Sequence, residues 1–183
     1  MIGKNSTNPT KEKILSAALE HFSLLGYHGV SVPQIAKSAG VAAGSVYTHF
    51  QSKDDLVNEL FWFWKQKLKS YYLEGFPLQD THQQQFSFIW GRLHAFTKDN
   101  PKAFCFIEYH MHGEYLREEC LALEEEIFEI GRSFIRSAQD AKVIGAIAPQ
   151  VAVAFFFGAF VQYFKDCNAS RTEWCEANSF AIR

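Results

Sequence analysis

With 183 residues, a hydrophobic fraction of 48% and 18 Phe, the chain is excluded from the disordered class and is long enough for one sizeable core or a small domain joined to a larger one. A net charge of −2 carries no overall sign of a polyanion partner, although residues 1–55 hold +1 and the remainder −3. Four cysteines, at 105, 120, 167 and 175, form no C-x-x-C pair or zinc spacing, and Met1–Thr10 has no secretory leader pattern, so the expectation is free, small, buried thiols in a cytoplasmic chain.

Residues 1–9 are polar and punctuated by Asn, Ser, Gly and Pro, which predicts a mobile tail. A first helix is then expected from Thr10 as N-cap, with Ile14, Leu15, Ala18, Leu19, Phe22 and Leu25 at helical spacing and Gly26 as the stop. Ser31 and Gln34 form a capping box for a short second helix ending at Gly40, and a third follows from about Ala42 to His49. Ser52 with Asp55 opens a long helix whose apolar side carries Leu56, Leu60, Phe63, Trp64 and Leu68, closed by Gly75 and Pro77.

Beyond that point the pattern stays helical, with breaks near Asn100-Pro101, His112-Gly113, 143–148 and 168–170. No strand alternation or hairpin dipeptide appears, so the fold class is all-α. Residues 143–164 carry no charge, but Pro149, Gln150 and Gln162 interrupt them and no Lys/Arg cluster flanks them, which favours a helix buried on more than one face over a membrane span.

The run IAKSAGVAAGSVYTHFQSK, residues 35–53, has too little apolar bulk for a core helix. Ala36 and Gly40 provide the close crossing and tight turn of a helix-turn-helix, over an apolar underside of Ile35, Ala39, Val41 and Val46. A helix entering the DNA major groove needs a thin leading turn, here Ala42, Ala43, Gly44 and Ser45, and polar groups at its exit, here Tyr47, Thr48, His49 and Lys53. Tyr47, His49 and Lys53, with Ser31, are therefore candidates for phosphate contacts, and Ala42, Ala43, Ser45 and Thr48 for base edges. Lys11, Lys13 and Lys37 are expected to be ordinary solvated charges.

Ile35, Ala36, Ala39, Gly40, Val41, Gly44, Val46, Tyr47, His49, Phe50, Ser52, Lys53, Asp54 and Leu56 together resemble the DNA-binding motif of the TetR (tetracycline-repressor-like) family of transcriptional regulators. The resemblance spans residues 10–60. It implies an all-helical homodimer with a three-helix DNA-binding domain, placed at 10–55, and a larger helical ligand-binding and dimerisation domain at 56–183. It also implies that a small molecule in the second domain releases the operator. Ala42 departs from the family's usual Ser or Thr, and Thr48 replaces a frequent aromatic. All six arginines lie between 92 and 183, so bidentate arginine-to-guanine readout from the DNA unit itself is excluded.

In the second region Phe86, Trp90, Phe104, Tyr109 and Phe134 are candidates for lining an apolar cavity, which makes the expected inducer apolar or aromatic; ordinary helix packing is the alternative for each. Glu108/His112 and His110/Glu114 are i, i+4 pairs that invite a metal, but Gly113 interrupts the helix and a solvated polar junction explains them, so no metal or other cofactor is expected. Glu124, Glu125 and Glu126 read as a solvated helical face. Apolar residues around 149–166, with a last helix at 171–182, are the expected dimer interface. No nucleophile elbow, phosphate loop, dinucleotide fingerprint or H-E-x-x-H is present, which leaves a helical enzyme only as the rival class. Repression and activation both remain open, as does a regulator without ligand response.

Overall fold

A computed structural model describes residues 8–110 and 113–170, with side chains described as far as Cys167. Among these residues there are eight helices and no strand, in agreement with the all-α expectation.

Helix α1 (Pro9–Leu25) begins earlier than predicted. The cap is Asn8, whose side-chain oxygen accepts from Thr10 N at 3.0 Å and Lys11 N at 3.4 Å, and Pro9 occupies the first turn, where a missing N–H costs nothing. Thr10 is thus inside the helix, Asn8 and Pro9 belong to its start rather than to the expected tail, and residues 1–7 lie outside the described part. Leu25 is 55% exposed rather than core, because the helix ends there as Gly26, at φ 65°, turns the chain away.

Helix α2 (Val32–Ala39) has the predicted capping box: the backbone N and the hydroxyl of Ser31 both donate to Gln34 Oε1 at 2.8 Å. Gly40 ends it at φ 68°, ψ 33°, the left-handed region that favours glycine, and Val41 N reaches back to Ala36 O at 3.0 Å. Helix α3 (Ala43–Tyr47) is shorter than predicted at both ends. Ala42 provides no side-chain cap, and His49 N and Phe50 N both fold back onto Val46 O.

Helix α4 (Lys53–Leu73) starts where Ser52 Oγ accepts from Asp55 N at 3.1 Å. The reciprocal bond falls one residue early, from Gln51 N to Asp55 Oδ2 at 2.8 Å. Helices α5 (His82–Asp99), α6 (Pro101–Tyr109), α7 (Glu118–Asp140) and α8 (Pro149–Ser170) follow, with the predicted breaks at Asn100-Pro101 and 143–148. The break expected at 168–170 is absent, since α8 continues through Ser170. The helix predicted at 171–182 lies outside the described residues.

Packing divides the described residues into two units, at 71/72, 94/95 and 124/125. In the first, Phe22 stacks on Phe106 with centroids 6.0 Å apart, Phe61 sets its edge against the same ring, and Trp64 and Tyr71 set theirs against Phe96. This aromatic core joins α1 and α4 to α6 and the end of α5. Asn58 and Lys65, only 1% and 3% exposed, are buried as well, on the side of α4 away from Leu56 and Leu60.

In the second unit Phe86 stacks on Trp90, and Phe156 and Phe160 of α8 meet these rings edge-on. Gly131 lets α7 and α8 pack closely, since a Cβ there would stand 3.2 Å from Val153 Cγ2. The opposite side of α8 leaves Val151 and Phe155 exposed at 53% and 69%. Among the described residues no helix is long and apolar enough to cross a membrane.

Candidate nucleic-acid interface

Val32, Ile35, Ala36 and Val46 are buried, with α2 packed on α1 and on α3, which leaves Ser31, Lys37, Ala42, Ala43, Gly44, Tyr47 and Thr48 facing out. Added Cβ atoms at Gly40 and Gly44 would meet nothing within 4 Å, so the space before this turn is clear of protein. Tyr47 is 54% exposed despite its size, a cost in apolar hydration that internal packing does not explain. Phe50 beside it is core.

The base-edge candidates therefore divide. Ala42, Ala43 and Thr48 are exposed, whereas Ser45 is half-buried, and the Thr48 hydroxyl donates to Ser45 O at 2.6 Å, committing its donor to its own turn. His49 is half-buried with its ring 6.4 Å from Phe50. Lys53 is half-buried too, and its ammonium lies 3.9 Å from the centre of the Tyr27 ring; burial lowers its pKa, against the pull of Asp54. Lys11 is not the ordinary solvated charge expected: it pairs with Glu59 at 2.6 Å beside the Phe50 ring.

Behind the turn, the segment after α6 is fastened to the start of α4. Asn58 Nδ2 donates to Tyr115 O at 2.8 Å, and Asn58 Oδ1 accepts from Arg117 N at 2.7 Å. Arg117 Nη2 bonds Asp55 Oδ1 at 2.6 Å, so an arginine absent from the DNA unit in sequence stands beside it in space. Tyr27 donates its hydroxyl to Asp54 and stacks on Tyr115. Burial first, then Asp54, pushes the Tyr27 phenol up to about 12, and burial lifts Tyr115 to about 12 as well. Tyr27, Asn58, Tyr115 and Arg117 were missed by sequence reasoning, because contacts between residues 27 and 115 leave no periodic signal.

The Glu/His group is drawn apart. Glu108 turns to Lys65 at 2.9 Å, while His110 Nε2 meets Ser23 O at 3.2 Å, with its ring against Gly26. His112 lies outside the described residues, and among those described no cluster is arranged to hold a metal ion. Glu124 is a correction. Rather than sharing a solvated face with Glu125, it turns inward to the same Lys65 at 2.9 Å and is 32% exposed, because α7 crosses α4 there.

Of the proposed cavity residues, Phe86 and Trp90 stack on one another, and Phe134 lies near His82, all in the second unit. Phe104 is fully buried with its ring near Tyr109, in the first.

A short helix, a left-handed glycine and a second helix with an open, small-residue leading turn define a helix-turn-helix protein. Comparison with known proteins makes this specific. The profile described as "Bacterial regulatory proteins, tetR family" matches residues 14–60, and that described as "Tetracyclin repressor-like, C-terminal domain" matches residues 53–177. The chain belongs to the TetR family of bacterial regulators.

Curated relatives match over only part of the chain. The transcriptional regulator AcrR of Shigella flexneri is 41% identical over 58 residues, 32% of this chain and 27% of that protein. The fatty acid metabolism regulator protein of Bacillus subtilis is 43% identical over 53 residues, 29% of this chain and 27% of that protein. The chain thus spans well under two thirds of the relatives it matches. Among solved structures, a TetR family transcription regulator from Marinobacter aquaeolei VT8 aligns with TM-score 0.77 at 18% identity, over 91% of this chain and 87% of that one. FadR from Bacillus subtilis in complex with stearoyl-CoA aligns with TM-score 0.69 at 20% identity, over 89% of both chains. At these identities the structural likeness speaks for the fold.

Proposed function

We propose that the chain is a sequence-specific DNA-binding transcriptional regulator, acting as a repressor that a small molecule releases from its operator. The observation that carries this reading is the exposed, small-residue turn of α3 with Tyr47 held out into solvent beside it. Tyr47, His49, Lys53 and Ser31 serve as phosphate contacts, and Ala42, Ala43, Ser45 and Thr48 face base edges, where Ala and Thr offer apolar contact to thymine methyls. Residues 10–55 form the DNA-binding domain and 56–183 the ligand and dimer domain. The protein acts as a regulator rather than an enzyme, on chromosomal DNA in the cytoplasm.

The ligand is apolar or aromatic. The half-buried rings of Phe86, Trp90 and Phe134 in the second unit favour such a molecule, and the fatty acid metabolism regulator and the stearoyl-CoA complex of FadR support a long apolar chain. The homodimer forms through α8, whose Val151, Phe155, Gly158 and Ala159 share one exposed helical stripe, together with the segment 171–182.

Selection of genomic fragments by the purified protein tests this reading, followed by anisotropy titration of the best duplex at about 50 and 200 mM salt. A palindromic site whose affinity falls steeply with salt is the expected result. Uniform weak binding to every fragment overturns the function. Addition of stearoyl-CoA or a free fatty acid is expected to release the duplex, whereas release only by a small charged sugar or a metal ion overturns the ligand class.

A further inference from the structure

The lysine at the start of α4 shares an aromatic ring with the segment that leaves α6. Tyr27 and Tyr115 stack with centroids 3.9 Å apart and planes 20° from parallel, and the Lys53 ammonium lies 3.9 Å from the same Tyr27 centroid. A stacked ring and an ammonium at that distance do not fit on one face of a phenol, so Tyr115 covers one face and Lys53 the other.

Each of these groups is held in turn. The Tyr27 hydroxyl is tied to Asp54, and the Arg117 guanidinium takes Asp55, so the two carboxylates that follow Lys53 are both engaged. Tyr115 is pinned through its backbone by Asn58, which is 1% exposed and bonded to both Tyr115 and Arg117, bonds that water does not easily displace. A lysine side chain is otherwise rotamer-rich, and a ring face that fixes its ammonium reduces the freedom lost on meeting a phosphate.

We infer that Tyr27 and Tyr115 are positioning residues for DNA binding: Tyr115, carried on the 113–117 segment, sets the Lys53 ammonium through the ring of Tyr27. The inference rests on the DNA-binding reading above and on Lys53 as a phosphate contact. Its consequence is a route by which a shift of the 113–117 segment changes DNA affinity with α2 and α3 left in place.

The test uses the full chain and the duplex selected by the wild-type protein, with Tyr115→Leu, Tyr115→Phe, Lys53→Met and the double variant Lys53→Met/Tyr115→Leu titrated over a salt series. Tyr115→Leu is expected to weaken binding roughly 3- to 10-fold and to flatten the salt slope toward that of Lys53→Met. Tyr115→Phe, which keeps the stacked ring, is expected to bind as wild type, and Tyr115→Leu is expected to cost nothing further in the Lys53→Met background. Equal loss in both backgrounds, or no loss in either, overturns the inference.

If Tyr115→Leu does not fold, the ε-methylene protons of Lys53 in the wild-type protein decide: an upfield ring-current shift supports the arrangement and an ordinary lysine shift overturns it. A wild-type protein that selects no duplex overturns the DNA-binding reading itself. A wild type that binds, with Lys53→Met binding equally well, removes this inference together with the assignment of Lys53 to a phosphate and leaves the DNA-binding reading standing.

Discussion

The Lys65 ammonium stands 2.9 Å from the Glu108 carboxylate, with the lysine side chain 3% and the glutamate side chain 9% exposed, and the same ammonium reaches Glu124 at 2.9 Å. Burial alone would lower the lysine's pKa, but the two carboxylates outweigh it and hold it above its ordinary value. One buried cation thus joins α4, α6 and α7. Lys65→Met leaves two carboxylates facing each other without a counter-charge and is expected to cost about 3–5 kcal/mol by urea unfolding. Adding Glu108→Leu to Lys65→Met is expected to recover part of that loss, and an additive double variant would contradict the pairing.

The Arg117–Asp55 pair makes an acid-side prediction. Burial raises the Asp55 carboxyl, but the Gln51 N–H and Arg117 outweigh it and hold the pKa below its ordinary value. A carboxylate with a depressed folded pKa adds stability that is present above its unfolded pKa and is lost as pH falls through the folded one. Thermal midpoints are therefore expected to decline below about pH 4 with a contribution from Asp55. Arg117→Gln should shrink that contribution, and identical acid profiles for the two proteins would argue against it.

Tyr47→Phe separates a phosphate hydroxyl from a packing role. The ring stays and the charge is unchanged, so affinity for every duplex is expected to fall roughly 3- to 10-fold with the salt slope intact. Unaltered affinity would mean that the exposed phenol does not meet a phosphate.

Ala42 occupies the N-cap of α3 with extended backbone and no side-chain acceptor. Ala42→Ser provides one, and stability in the absence of DNA is expected to rise by about 0.5–1 kcal/mol. Calorimetry checks this; a lower melting temperature would show that the residue is not acting as a cap position.

Phe155, 69% exposed at the centre of the apolar stripe on α8, is expected to lie against a second copy. Phe155→Glu would bury a charge there and is expected to give monomers in sedimentation velocity at micromolar concentration, with operator binding weakened. A dimer of unchanged stability would place the interface elsewhere.

Most of the helix-turn-helix was legible in the sequence because it is local. The Ser31–Gln34 cap and the left-handed Gly40 are each written within four residues, and both stand in the structure as read. Thr10 and Leu25 were misread because helix ends depend on which neighbouring residue takes the extended cap or the positive φ, here Asn8 and Gly26. Glu124 was misread for another reason: an acidic run looks solvated until a cation from a different helix is brought to it.

What the sequence by itself determined is the all-helical class, the turn between α2 and α3 and the family, since these depend on spacing, capping chemistry and a motif within about 25 consecutive residues. Only the tertiary structure decided that Lys65 lies buried between two glutamates, that Arg117 stands beside an arginine-free DNA unit and that Tyr115 backs the ring under Lys53. Those partners are 26 to 88 residues apart, and a charge or a ring acquires its role from the low-dielectric surroundings and the neighbour that folding places against it, which no local pattern encodes.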